Sequence, residues 1–225
     1  QYGRCIPTNN NHPVHQKSRR YFKLLPLEVN YEKIYNKIKK FLDPDTSLSL
    51  EEFKEKSEKI LEKLKKDKRL SNILNGVGVP FFMPKRKHGD IGDELLKNYL
   101  VSLQNSFKDE NPNFDFINHC TDALSNSISI NNNSRHDKFI KKLEEDIIVG
   151  YYFPALSEYS FSAAIDALNI FPDYFSLAGG YDTCSAFIGN PNLLLNKESY
   201  PPLLWMTALN SNKKNIYNDI DYQFQ

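Results

Sequence analysis

Cys184 is the residue that its sequence neighbours place best to act as a nucleophile. It lies within SLAGGYDTCSAFIGNPN, a stretch rich in small residues that spans 176–192. A thiolate is stabilised near a helix N-terminus, where free N–H groups and the helix dipole offset its charge. Asp182 or Thr183 can cap such a helix, which would place Cys184 in the first turn. The stretch therefore permits a cysteine-dependent hydrolase or transferase.

A thiol nucleophile also needs a base, usually a histidine that a third group holds in position. All five histidines precede Cys184 in the sequence, and His88, His119 and His136 could serve. Their order along the chain does not forbid this, because catalytic groups are defined by their geometry in the fold. We therefore take Cys184, His119 and His136 as the candidate catalytic residues.

The alternative interpretation of the same stretch is structural. Most free cysteines behave as small apolar residues buried in the core. Gly179-Gly180 can end a short helix through a left-handed cap, and Asp182-Thr183 can begin the next helix. The negative charge of Asp182 would also oppose thiolate formation two residues away.

The other cysteines indicate neither a metal site nor a disulfide framework. The three cysteines, at positions 5, 120 and 184, are odd in number and lack CxxC spacing. This usage favours a reducing compartment, although a single bridge between Cys5 and Cys184 stays open. Cys120 lies on the apolar stripe of a predicted helix and is expected in the core. Because no nucleotide-binding or metalloprotease motif is present either, we expect no metal and no cofactor.

Short basic clusters in the N-terminal part are candidate binding residues. They are KSRR (17–20), KLKKDKR (63–69) and KRKH (85–88). Such clusters attract phosphate groups of nucleic acids or anionic lipids. The candidate contacts are Lys65, Lys66, Arg69, Lys85, Arg86 and Lys87. Glu62 and Asp67 dilute the second cluster, and no nucleic-acid-binding signature accompanies it, so a solvated helix face is the alternative.

The charges are distributed unevenly along the chain. Residues 1–89 contain 20 Lys and Arg against 10 Asp and Glu, whereas residues 90–225 contain 9 against 18. The two parts carry +10 and −9, although the whole chain carries +1. Such halves either bind separate partners or attract each other within one fold. If the basic part packs onto the acidic part, the case for an external anionic partner collapses.

Helical periodicity is clearest in the N-terminal half. Apolar residues recur at helical spacing over 31–42. Ser49 and Glu52 form a capping-box pattern at the start of a second helix, and Asp90 can cap a third. Between these two helices, VGVPFFMP (77–84) breaks the pattern, and we expect an extended linker there.

Further helices are predicted towards the C-terminus. Apolar spacing predicts a helix over 113–126, and Ser134 can cap the next one. The segment 157–171 is apolar on all sides, so we expect it deep in the core. The stretch YPPLLWMTAL (200–209) begins with prolines suited to a first helical turn and predicts a final helix.

Together these patterns predict a mainly α protein, an irregular helical bundle of about seven helices with little or no sheet. The length allows one large domain or two small ones. We expect a flexible N-terminal segment (1–16), a basic helical hairpin subdomain (17–84) and an acidic helical domain (85–225). The acidic domain is either separate from the hairpin or packed with it as one unit.

The leading functional hypothesis is a binding protein without catalytic activity, whose partner is another protein. It depends on the amphipathic helices, the oppositely charged halves and the absence of a strong catalytic motif. The alternatives are the cysteine-dependent enzyme and a protein that binds nucleic acid or an anionic surface through its basic N-terminal half. No apolar run approaches 18 residues, so we expect no transmembrane segment. Because the chain begins without Met, we expect a trimmed or processed product and leave its compartment open.

Overall fold

Six helices and six short strands form the regular structure of the residues that the computed structural model describes. Those residues are 27–67, 70, 73–74, 76–87, 89–118, 124–154, 161–195, 204–211 and 223–224. The helices are α1 (Tyr31–Phe41), α2 (Leu50–Lys66), α3, α4 (Arg135–Leu143), α5 (Phe161–Leu168) and α6 (Gly180–Gly189). Helix α3 begins as Ile91–Glu94, widens into a π-helical turn over Leu95–Tyr99 and continues as Leu100–Glu110. The strands are β1 (Val79–Met83), β2 (Ile128–Ile130), β3 (Ile148–Tyr152), β4 (Leu204–Trp205), β5 (Leu209–Ser211) and β6 (Gln223–Phe224).

Capping side chains explain where four of the helices begin. Asn30, Ser49, Asp90 and Ser134 each accept a hydrogen bond from the backbone N–H three residues further on. At Ser49 the bond is reciprocal, because Glu52 accepts from the Ser49 N–H at 2.9 Å. The helix starts predicted at Ser49, Asp90 and Ser134 are therefore confirmed.

Strand β1 corrects the expectation of a linker over 77–84. The segment is extended, but it pairs in antiparallel register with β3, from Val79 opposite Tyr152 to Met83 opposite Ile148. All five residues of β1 are buried. The prediction failed because the partner strand lies about seventy residues away in the sequence, beyond the reach of a local pattern.

Helix α6 lies at the centre of the fold, and each of its ten residues is buried. Helices α1 and α3 and strands β1 and β3 pack around it. Gly189 permits the close approach of α1, since a Cβ there would lie 2.7 Å from Cγ2 of Ile34. Side chains from both sides of residue 85, the predicted domain boundary, share this one core.

A smaller apolar cluster joins the second half of α2 to the segment that follows α5. Its buried members are Leu64, Leu70 and Ile73. Ile60, Leu74, Phe153, Phe171 and Phe175 pack against them. The cluster fixes the chain around residues 171–175 against α2.

The prediction of a mainly α protein is confirmed, and sheet is confined to three antiparallel strand pairs among the described residues. The number of about seven helices and the bundle arrangement are not confirmed. The predicted helix over 113–126 is wrong where the chain is described, because 113–118 and 124–126 form turns and irregular chain. Phe116 packs against Phe107 of α3 without a helix, with ring centroids 5.6 Å apart.

Two further expectations about the C-terminal half are wrong. The predicted final helix over 200–209 is replaced, where described, by β4 and β5, and β5 pairs with β2. The segment 157–171 is not deep in the core where its side chains are described, over 165–171, because Ile165 is 50% exposed and Ile170 is 67% exposed. A stretch that is apolar on all sides also suits a surface that another molecule covers, and the sequence pattern does not distinguish the two.

Candidate functional site

Helix α6 begins earlier than the sequence predicted. Gly179 is its N-cap residue and Gly180 its first residue, so the two glycines begin this helix and do not end the previous one. Asp182 lies in the first turn, where its carboxylate accepts the Gly179 N–H at 2.9 Å. Cys184 is therefore the fifth helical residue, beyond the N–H groups that lack intrahelical partners.

The surroundings of Cys184 oppose a reactive thiolate. The residue is fully buried. Burial raises the pKa of its thiol well above the ordinary value, and the negative charge of Asp182 raises it further. The structure thus favours the structural interpretation of this cysteine on physical grounds, and its role as a nucleophile stays a prediction.

His136 is the one candidate base that the structure describes, since His88 and His119 lie outside the described residues. It is the second residue of α4 and is buried, with its ring edge against the turn that precedes α6. A Cβ at Gly179 would lie 2.2 Å from Nε2 of His136, so only glycine permits this contact. His136 and Cys184, both described, form no hydrogen bond with each other.

The environment of His136 keeps its imidazole neutral. Burial lowers its pKa below the ordinary value, and the carboxylates of Asp182 and Asp137 offset only part of that shift. Its Nδ1 lies 3.5 Å from Oγ of Ser176. A neutral, enclosed ring packed on Gly179 positions the start of α6 and has no demonstrated access to substrate.

Part of the positive charge of residues 1–89 is neutralised inside the fold. Lys37 is 8% exposed and its Nζ lies 3.0 Å from Asp109 and 3.1 Å from Glu110, at the end of α3. Lys40 also pairs with Asp109, at 2.8 Å, and Lys33 pairs with Glu110. Hydrogen bonds from Lys40 and Lys37 lower the pKa of Asp109. Lys37 is consequently enclosed by the fold, whereas Lys33 and Lys40 pair with the same two carboxylates at the surface.

The predicted basic contact residues have different surroundings. Lys65, Lys66, Lys85 and Lys87 are exposed. Arg86 pairs with Glu94 of α3 at 3.1 Å. Arg69 lies outside the described residues. The structure therefore leaves four of the six side chains open to solvent.

The sequence did not predict the exposed apolar side chains at the end of α5 and just after it. Ile165, Ile170 and Tyr174 are 50%, 67% and 48% exposed, and we call these three side chains the 165–174 surface. Single exposed apolar residues are common, but three large ones within ten residues of chain make this segment a candidate contact site. The only available signal was the apolar composition of 157–171, which indicated the core equally well.

Arg135 fixes the backbone beneath the 165–174 surface. Its Nη1 donates to the carbonyl oxygen of Leu168 at 2.9 Å, and its Nη2 donates to that of Phe171 at 3.1 Å. Longer bonds from Nη1 reach the carbonyls of Pro172 and Phe175. One guanidinium thus holds the end of α5 and the following turns in a single conformation, because its rigid fork binds several carbonyls at once.

Lys63 of α2 borders the 165–174 surface. Its Nζ lies 3.6 Å from the centroid of the Tyr174 ring, at the distance of a cation–π contact. The second apolar cluster lies beneath, where Leu64 of α2 packs with Phe171 and Phe175. Basic and apolar groups therefore meet on one surface that two separate parts of the chain form.

The described residues show neither a metal-binding cluster nor a helix that could cross a membrane. Those residues contain no group of three or more His, Cys, Asp or Glu side chains that could hold a metal ion. None of the described helices combines the length and the apolar character that crossing a membrane requires. No protein family, curated protein or solved structure matched this chain in the comparisons.

Proposed function

We propose that this chain is a binding protein and that the 165–174 surface is its contact site for another protein. The observation that carries the proposal is the exposure of Ile165, Ile170 and Tyr174 on a segment whose backbone carbonyls Arg135 binds. A rigid apolar surface loses little conformational entropy on binding, so more of the burial energy appears as affinity.

The expected contribution of this surface follows from its exposed area. Full burial of an isoleucine side chain contributes about 2 kcal/mol. Half of Ile165 and two-thirds of Ile170 are still exposed, so covering both contributes about 2 kcal/mol. Since about 1.4 kcal/mol corresponds to a tenfold change in affinity, the two residues together account for at least a tenfold effect.

A peptide library with no bias in charge tests the proposal. Peptides are selected on the wild-type chain, and their affinities are measured by fluorescence anisotropy for I165S/I170S and for V101S. Val101 is a matched control, because it is 46% exposed and lies on α3, away from the 165–174 segment in the sequence. Thermal unfolding of each variant shows whether it keeps its fold, and I170S alone replaces the double variant if that one unfolds.

We expect the selected peptides to bind I165S/I170S at least about tenfold more weakly and V101S as tightly as the wild type. Equal binding to all three proteins, or a library that yields no binder, would contradict the proposal. Among the alternatives, the cysteine-dependent enzyme gains no support from the burial of Cys184. The alternative of an anionic partner is supported only by the exposed lysines that form no ion pair among the described residues.

A further inference from the structure

Four lysines form a row along one side of α2. Lys56, Lys59, Lys63 and Lys66 follow one another at spacings of three, four and three residues, which places them on one side of a helix. All four are exposed, and we call them the lysine flank. With a rise of about 1.5 Å per residue, the flank is about 15 Å long.

The lysine flank is continuous with the 165–174 surface. Lys63 lies directly over the exposed ring of Tyr174. Beneath this contact, Ile60 and Leu64 of α2 pack in one cluster with Phe171 and Phe175. A single partner can therefore touch the lysines and the apolar side chains at the same time.

Two lysines at the end of the flank that borders the apolar surface have no ion-pair partner among the described residues. Lys59 pairs with Glu55 one turn earlier in the helix. Lys63 and Lys66 form no ion pair with any residue in the described part of the chain. The Lys63 ammonium lies over the exposed ring of Tyr174, and the exposed Lys66 follows three residues further along α2. A carboxylate-bearing partner would complement both charges.

We propose that the partner bound at this surface is an acidic amphipathic helix. Its apolar side covers the 165–174 surface, and its carboxylates, one helical turn apart, contact Lys63 and Lys66. The three-and-four spacing of the flank matches the spacing of side chains on one face of a straight helix. This inference rests on the proposed function, because it specifies the chemistry of the partner at the same surface.

A carboxylate within the surface favours a protein partner over an anionic membrane. Asp173 is 99% exposed, lies between Ile170 and Tyr174 in the sequence and pairs with Arg135 at 3.1 Å. Insertion of the neighbouring apolar side chains into a lipid surface would also take this ion pair out of water, which costs desolvation energy. A peptide helix can avoid it, since its charges have fixed positions.

Synthetic peptides and two other anionic surfaces test the inference on the full chain. The probe is a helical peptide with a leucine face and glutamates at every third or fourth position beside it. A second peptide carries lysine in place of each glutamate. Vesicles of phosphatidylserine and phosphatidylcholine and a duplex DNA oligonucleotide represent the other anionic partners. Binding is measured by fluorescence anisotropy or vesicle sedimentation at low and at high salt.

The matched variants are K63Q/K66Q and K138Q/K142Q, each of which removes two exposed lysines from one helix. We expect the acidic peptide to bind the wild type and the lysine-substituted peptide to bind much more weakly. K63Q/K66Q should weaken acidic-peptide binding about five- to tenfold at low salt and reduce its salt dependence, because two surface ion pairs are lost. K138Q/K142Q should bind as the wild type does.

Failure of this inference is distinguishable from failure of the proposed function. If K63Q/K66Q binds the acidic peptide as well as the wild type does, or if both designed peptides bind equally, the acidic partner is refuted. Binding of vesicles or DNA without binding of the acidic peptide refutes it as well. In each of these cases, charge-unbiased library peptides that still lose affinity for I165S/I170S would leave the proposed function intact.

Discussion

Replacing Arg135 with methionine tests whether one guanidinium holds the proposed contact surface in place. The change keeps most of the apolar stem and removes every hydrogen bond of the head group. Two of these bonds are short, at 2.9 Å to Leu168 and 3.1 Å to Phe171. The contact with Asp173 adds little, because that carboxylate is 99% exposed.

The expected loss follows from the two short bonds. A hydrogen bond to a charged group contributes about 1.5 to 3 kcal/mol net, and we use the lower figure because Arg135 is 21% exposed. Arg135→Met should therefore destabilise the 168–175 segment by about 3 kcal/mol. Arg135→Lys should lose about half as much, since an ammonium cannot reach all of these carbonyls at once.

Hydrogen exchange measured by mass spectrometry reads this segment directly. Asn169 and Ile170 donate their N–H groups to carbonyls in the last turn of α5, and Phe171 and Phe175 donate theirs to carbonyls within the segment. The protection of these four groups therefore reports its opening. In Arg135→Met their exchange should accelerate about a hundredfold if the segment opens locally. Lys138→Met, an exposed change on the same helix, is the control. Exchange within threefold of the wild type in Arg135→Met would refute the role assigned to Arg135.

Three other perturbations test the rest of the structure. Cys184 should react with iodoacetamide only as fast as the chain unfolds, since burial raises the pKa of its thiol. Mass spectrometry locates the labelled residue. Rapid labelling of Cys184 in the native chain below pH 8 would instead support its role as a nucleophile. Because the pKa of His136 is lowered in the fold, the unfolded chain takes up this proton first. Stability should then be complete above about pH 6.5 and fall below it by up to about 1.4 kcal/mol per pH unit. Urea unfolding of His136→Gln should lack this slope between pH 7 and 5, and an unchanged slope would contradict the assignment. Lys37→Met should lower the free energy of unfolding in urea by about 1 to 2 kcal/mol, because Lys37 is 8% exposed and bonded to two carboxylates. Lys54→Met, which removes an exposed ion pair, should leave it almost unchanged. Equal losses of stability in the two variants would contradict this reasoning.

The features that the sequence predicted correctly are those that short-range bonds determine. Ser49, Asp90 and Ser134 cap helices through a hydrogen bond to the backbone three residues away. Such a bond is encoded within one turn of chain, so the local sequence suffices to predict it. The Gly179-Gly180 pair failed as a predicted helix end because Asp182 reaches back to Gly179 and begins α6 earlier.

The features that the sequence could not supply depend on distant partners. Strand β1 requires β3, and strand β5 requires β2, in each case across a long stretch of chain. The 165–174 surface is not visible either, because the apolar composition of α5 is the same whether the helix is buried or exposed. Only the fold places Lys63 over Tyr174 and makes one surface from two separate segments.

The lysines near the end of α2 also have a purely local explanation, and the two explanations differ in what they predict. Lys63, Lys65 and Lys66 all lie in the last turn, where positive charge is favoured by the helix dipole. The dipole acts on all three alike, so by itself it predicts the same small loss of stability for K65Q and K63Q, and the Tyr174 contact adds to the loss in K63Q. Lys65 lies about 160° around the helix from Lys63 and outside the lysine flank. A binding role therefore requires that K63Q lower the affinity for the acidic peptide while K65Q leaves it unchanged. Equal effects of the two changes on this affinity would mean that the helix dipole alone explains these lysines.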